Sequence, residues 1–277
     1  MPGYIYGNCG RMQMNIIVLM KQVPEIEKVR FDPEKGRLDR SSAGATTNPF
    51  DLNALEAAVQ IKEKVGGIVT AISMGPMKAE EMLRDALARG ADKAILLSDE
   101  RFAGADTLAT AYTLAAAIRK LGAFDLVICG EKTVDGDTAQ VGPEVAEFLN
   151  IPHAAYVEEI LNVSENNIVV KARMERSHYI MRLTLPALIT VTKDVNTPRL
   201  PTLRDKIRAM RAPITIWRYE DLEEVADPRY FGFDGSPTRV IKVYTPSAEK
   251  RLGKMISGSP EEVAREIVHV LIKNKIL

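Results

Sequence analysis

The feature that most constrains this chain is a regular alternation between residues 15 and 150. Short apolar runs rich in Ile, Leu and Val, at 16–20, 68–73, 94–97 and 126–129, take turns with helical patterns at 53–65, 78–89 and 107–121. Runs of this length and character fit strands buried on both faces of a parallel sheet. Strand–helix alternation then implies right-handed crossovers with helices on both faces. The expected fold class is α/β, a doubly wound, mostly parallel sheet. In the first helix, polar Asn53, Glu56, Gln60 and Glu63 are expected to mark the solvent face. The helix over 107–121 is apolar almost all round and is expected to be covered by the sheet or by a partner.

The densest signal lies at residues 124–151, FDLVICGEKTVDGDTAQVGPEVAEFLNI. An apolar strand passes through Gly130 into a loop rich in Gly, Asp and Thr, then enters an amphipathic helix carrying Val141, Val145, Ala146, Phe148 and Leu149. Open α/β sheets hold nucleotides at such junctions, where unpaired N–H groups and the helix dipole favour an anion. Neither G-x-G-x-x-G nor G-x-x-x-x-G-K-[ST] occurs, so a nucleotide would need a different loop. The sequence offers Asp135, Gly136, Asp137, Thr138, Ala139, Gln140, Val141 and Gly142. Asp135 and Asp137 would repel a phosphate and suit helix capping or ribose contacts. Backbone N–H groups and the Thr138 hydroxyl are left for the anion. An ordinary capped loop is the alternative.

Residues 103–110 have the same composition, with Asp106 as a helix N-cap and Thr107 and Thr110 one turn apart. Both loops should open on one edge of the sheet. Ahead of the first helix stand Asn48, Pro49, Phe50 and Asp51; Pro49 fixes the chain direction and Asp51 can cap the helix. Gly75, after Met74, permits close backbone approach to a ligand.

Lys plus Arg and Asp plus Glu both number 37, which argues against nucleic acid as the main partner. The two cysteines, Cys9 and Cys129, match no metal or redox spacing, and Cys129 reads as an inert buried thiol. His153, His178 and His269 form no triad and no metal set, so no catalytic residue and no metal site is assigned. Any redox chemistry would belong to a bound cofactor. No run approaches the roughly 18 apolar residues of a membrane span, and the first 13 residues carry no signal-like stretch. A cytoplasmic protein without membrane insertion is expected.

Residues 1–13 read as an N-terminal extension and 14–195 as a nucleotide-binding α/β domain. Within it, strands at 168–171, 179–183 and 188–191, with a turn at 166–167, are expected to extend the sheet on an antiparallel edge. Residues 196–277 are proline-punctuated, basic near Arg199, Arg204, Lys206, Arg208 and Arg211, and end in a helix over 260–273. They read as an extended C-terminal arm that wraps a partner; packing on its own domain is the alternative.

VLMKQVPE (18–25), NPFDLNALEAA (48–58), SMGPMKAEEMLRDALARGAD (73–92), VDGDTAQVGPEVAEFLNIP (134–152), LPALITV (185–191) and NTPRLPTL (196–203) occur in this order. Together they resemble the β subunit of electron transfer flavoprotein, from Met14 to the C-terminus. The resemblance implies an adenine-nucleotide α-hydrolase-like sheet and a heterodimer with an α subunit that holds FAD. Family β subunits hold either AMP or a second FAD; DGDTAQVGP and SDERFAGADTLAT look like the FAD-holding, electron-bifurcating kind. That kind implies NADH as donor and a ferredoxin-like low-potential acceptor. AMP in a structural and docking subunit is the alternative. By resemblance, nucleotide contacts fall on Leu19, on Asn48 to Asp51, on Met74 and on Asp135 to Gly142. Leu203, with Arg199 and other basic residues beside it, matches the loop that docks dehydrogenase or quinone-reductase partners. The segment ARMERSHYIMR departs from the family's Gly-containing acidic turn, which puts partner choice at that edge in doubt.

Overall fold

The computed structural model describes residues 13–25, 30–32, 37–39, 44–239, 241, 253 and 255–277; Cys9 and most of the expected N-terminal extension lie outside them. Strand β1 (Met14–Leu19) is followed by two small antiparallel ladders, β2 (Gln22–Pro24) with β5 (Ala45–Thr47) and β3 (Arg30–Asp32) with β4 (Arg37–Asp39). The alternation comes next: α1 (Pro49–Val65), β6 (Gly67–Met74), α2 (Glu80–Arg89), β7 (Lys93–Leu97), α3 (Thr107–Leu121), β8 (Leu126–Gly130) and α4 (Val141–Leu149). Then follow β9 (His153–Val163), β10 (Asn167–Arg173), β11 (His178–Thr184), β12 (Ala187–Val191), α5 (Leu203–Arg211), β13 (Thr215–Trp217) and α6 (Pro260–Lys273).

One nine-stranded sheet has the order β11-β10-β9-β12-β8-β1-β6-β7-β13. Neighbours from β9 to β13 across the sheet are parallel, while β9–β10 and β10–β11 are antiparallel. The chain builds outward from β1 through β6 and β7, then returns to β8 on the other side of β1. The gap between the ends of β1 and β8 is therefore the topological switch point.

Strand alternation splits the core in two. Ile16 and Val18 face the layer of α1 and α2, and Ile17 and Leu19 face α3 and α4. Leu126 and Ile128 divide from Val127 and Cys129 in the same way. Each fully buried Ile or Leu stabilises the fold by about 1.5–3 kcal/mol. Helix α3 buries Ala109, Ala111 and the run from Thr113 to Ile118, so its all-round apolar character is met by the domain itself.

Three readings are corrected. Asn53 and Glu56 are buried rather than solvent-facing, because residues 193–199 lie across that face of α1. Strand β12 is an interior parallel strand between β8 and β9; only β10 and β11 form the antiparallel edge. The compact unit runs to Arg239, past the boundary that composition suggests near 195. Past that boundary, β13 adds to β7, and Tyr219, Leu222 and Phe231 enter the core beside Phe102. The hairpin turn after β10 still closes despite its unusual sequence, with the Met174 N–H donating to the Ser177 carbonyl. The second unit begins at Val240 and contains α6, capped by Ser259 and Glu262. No residue of α6 is buried, including its stripe of Val263, Ile267, Val270 and Leu271. Among the described residues, no helix is long and apolar enough to cross a membrane.

Candidate functional site

Because β1, β6, β7 and β8 are parallel, their C-terminal ends share one sheet edge, where the chain enters α3 after β7 and α4 after β8. Helix α1 opens with Asn48 at its N-cap position and Pro49 in the first turn, where a missing N–H costs nothing. Asn48 is fully buried; its amide donates to the Lys132 carbonyl at 2.9 Å and accepts from the Val134 N–H at 3.2 Å. It thereby pins the first part of the loop to α4.

Asp51 does not cap α1, which corrects the sequence reading. Its carboxylate accepts from the Lys21 N–H, just after β1, at 2.8 Å, and from the Gly130 N–H, at the end of β8, at 3.1 Å. Burial pushes this carboxyl up to about 7, although bonds from Asn48, Lys21 and Gly130 pull it back.

The two loop aspartates are neutralised in place. Asp135 accepts from the Lys21 ammonium at 2.8 and 3.0 Å, and Asp137 pairs with Lys132 at 2.7 Å. Burial works to raise the Asp135 carboxyl, but the Lys21 bond holds it below the usual carboxylate range. Neither caps α4, whose N-cap position is Gln140 without a side-chain bond. Asp137 and Ala139 adopt positive φ of 52° and 54°, which turns the backbone into the helix mouth. Among the described residues, the N–H groups of Thr138, Ala139, Gln140, Val141 and Gly142 meet no acceptor. Such a row of unpaired donors at a helix N-terminus is an anion seat. Gly142 lets α4 approach the sheet closely, since a Cβ there would lie 2.5 Å from Thr190 Cγ2 and 2.9 Å from Cys129 Sγ. Cys129 is buried, and burial pushes its thiol up, in line with an inert group.

The mouth of α3 lies beside that of α4: the Thr107 hydroxyl donates to Glu144 at 3.2 Å. Glu144 was not singled out from the sequence; burial raises its carboxyl, and its second oxygen is buried without a partner. Asp106 caps α3 as expected through the Ala109 N–H, yet also accepts from the Thr238 N–H and hydroxyl. Residues 236–238 thus cover part of this mouth, a contact across 132 positions that no local pattern announces. The Thr110 side chain makes no hydrogen bond within the described residues. Met74 and Gly75 line a neighbouring cavity of about 780 Å³ with Leu97, Asp99, Arg101 and Arg218. Leu19 is a core residue, so only its backbone is left for a ligand. Phe50 stands half-buried with the Lys132 ammonium 6.0 Å from its ring centre.

Leu203 and Arg199 belong elsewhere on the molecule. Leu203 begins helix α5, where a loop was expected, and is 74% exposed. Arg199 is bound to Glu56 at 2.8 Å and Glu63 at 2.6 Å. His178 pairs with Glu158 at 3.1 Å, and no group of three or more His, Cys, Asp and Glu suited to a metal occurs among the described residues.

Fold and crevice together define a doubly wound α/β protein with a donor-rich helix mouth at its switch point. The model of the electron transfer flavoprotein domain matches residues 35–222. The chain is 43% identical over 265 residues to the electron transfer flavoprotein subunit beta of Thermoanaerobacterium thermosaccharolyticum, covering 95% of this chain and 100% of that protein. It is 43% identical over 266 residues to subunit CarD of the caffeyl-CoA reductase-Etf complex of Acetobacterium woodii, covering 95% and 100%. It is 38% identical over 270 residues to the acryloyl-CoA reductase electron transfer subunit gamma of Anaerotignum propionicum, again covering 95% and 100%. The chain belongs to the electron transfer flavoprotein family, as a β subunit.

Proposed function

We propose that this β subunit holds FAD across the mouths of α4 and α3. It would do so within a cytoplasmic heterodimer whose α subunit carries a second FAD. In this reading NADH is the electron donor, and a ferredoxin-like protein and the α subunit share the electrons in a bifurcating complex. The observation that carries it is the unpaired N–H row from Thr138 to Gly142, with a second helix mouth joined to it through Thr107 and Glu144. Two mouths suit a pyrophosphate better than a single phosphate. The names of the two acyl-CoA reductase-linked relatives fit membership of such a complex.

FAD, when bound, supplies the hydride-accepting ring. The protein residues hold and orient it: Asn48 fixes the loop, Lys21 and Lys132 keep Asp135 and Asp137 off the anion, and backbone donors take the charge. AMP is the second reading, favoured by the Asp106–Thr238 contact that narrows the α3 mouth. Exchanging Thr107 and Thr110 together for alanine separates the two. FAD retention should fall about tenfold, a size within the worth of charge-assisted contacts. Unchanged retention by released-nucleotide chromatography removes the α3 mouth from the site.

For partner docking we assign helix α5 and the turn before it. Leu203, Ile207 and Met210 form an exposed apolar stripe, with Leu200 84% exposed beside it. Arg204, Lys206, Arg208 and Arg211 flank the stripe and would steer an acidic rim of a dehydrogenase or quinone-reductase type partner.

A further inference from the structure

We propose that Asp51 is the positioning residue of the crevice: its ionised carboxylate fixes the exits of β1 and β8 so that the loop to α4 presents its donors to an anionic ligand. The proposal rests on reading the crevice as a nucleotide site. Resemblance places Asp51 among the ligand contacts, but the geometry gives it a different task. The residue is 4% exposed, and each carboxylate oxygen takes a backbone N–H, one at Lys21 and one at Gly130. These two amides stand on opposite sides of the switch point, 109 positions apart in sequence by subtraction of 21 from 130. Gly130 makes the bridge possible, since a Cβ there would lie 2.5 Å from Asp51 Oδ1.

Both bridged residues connect to the ligand loop, Lys21 through its side chain and Gly130 through the backbone. The Lys21 ammonium holds Asp135, and Gly130 begins the connection that Asn48 pins at Lys132 and Val134. A protonated carboxyl would turn an O–H toward one of the two N–H groups and release that exit. The groups facing Asp51 are the Lys21 ammonium, the Asn48 amide and the Cys129 thiol. The thiol is pushed up by burial and by Asp51 itself, so it stays protonated through the neutral range. Burial raises the Asp51 carboxyl to about 7, which puts its charge change within reach of a titration.

The two consequences of acid have opposite signs. A carboxyl raised from 3.8 to about 7 favours the nucleotide-free fold at low pH, and that contribution fades as pH rises through about 7. Nucleotide binding needs the ionised form and strengthens over the same interval. A residue that only supported the fold would not separate the two.

The test is equilibrium dialysis of the intact αβ complex against whichever of FAD and AMP it retains on purification, with thermal unfolding of the nucleotide-free complex alongside. Affinity at this chain's site is expected to be about tenfold weaker near pH 6 than near pH 8, with the midpoint near 7. Asp51→Asn keeps the side-chain size but sets an amide N–H against one backbone N–H. It is expected to bind weakly at both pH values, with a flat profile and no loss of thermal stability near pH 8. Tight, pH-independent binding by the unaltered complex overturns the proposal, even if the variant fails to fold. So does an Asp51→Asn variant with the original affinity and profile. Absence of nucleotide binding at every pH instead overturns the underlying site reading, a result distinct from tight binding without pH dependence.

Discussion

Exchange of Arg199 for alanine is expected to destabilise the chain by about 3 kcal/mol, within the range for breaking a buried ion pair. The Arg199 guanidinium and backbone N–H both donate to Glu56, whose side chain is 6% exposed, and the guanidinium also reaches Glu63. Without it, the Glu56 carboxylate stays buried with only the Gln60 amide and the residue-199 N–H as partners. The arginine is itself about one-third exposed, so solvent offsets part of the loss. Denaturant unfolding of the single and double variants with Glu56→Gln reads the coupling directly; a coupling near zero would show that the cluster is ornamental.

The same cluster fixes the direction of a pH effect. Burial works to raise Glu56, but the Arg199 bonds hold it below its ordinary 4.5, and Glu63 is lowered by Arg199 as well. Their contribution is therefore present at neutral pH and lost as pH falls below about 4.5. The Arg199→Ala variant should lose less stability than the original chain over that fall. Arg199 also carries the turn that leads to Leu200 and Leu203, and Arg89 donates to its carbonyl at 2.6 Å. Its removal should loosen the proposed docking edge along with the fold.

The second large effect is expected at Gly130. Alanine there would place a Cβ 2.5 Å from Asp51 Oδ1, 2.6 Å from Phe50 Cβ and 2.9 Å from the Phe50 carbonyl carbon. All three neighbours belong to the start of α1, and the two Phe50 atoms cannot swing away as a flexible side-chain tip can. A cost of about 1–3 kcal/mol follows from overpacking, with displacement of the Asp51 bridge and at least tenfold weaker nucleotide retention. Gly136→Ala is the control in the same loop, since its nearest neighbour would be Thr133 Oγ1 at 3.4 Å. It should stay within about 0.5 kcal/mol of the original chain. Equal losses at both positions would mean that general loop disturbance, not the Asp51 contact, governs retention.

The sheet was legible wherever burial on both faces writes an unbroken apolar run. Residues 68–73, 94–97 and 126–129 fall inside β6, β7 and β8 for that reason. Strand β9 was missed because its half-exposed course mixes Glu158, Glu159 and Asn162 among apolar positions. Helix α5 carried a readable start: Thr202 caps the Asp205 N–H, and Leu203, Ile207 and Met210 keep helical spacing. Prolines 198 and 201 mark a turn just ahead of it, and proline-punctuated sequence of that kind reads as loop.

At the site, motif resemblance named Asn48, Asp51 and the 135–142 loop, and the structure brings these together at the switch point. Their bonds were beyond local pattern. Lys21 reaches Asp135 across 114 positions, Asn53 reaches Asn196 across 143, and Asp106 meets Thr238 across 132. Helical periodicity could not show that Asn53 and Glu56 face another segment of the same chain, because only the tertiary fold lays residues 193–199 there.

The most direct measurement is the nucleotide content of the heterodimer purified with its α subunit, by visible absorbance and chromatography of released nucleotides. Two FAD per heterodimer are expected, one of them lost with the switch-point variants. One FAD with one AMP would contradict the FAD reading and make this subunit a structural and docking module.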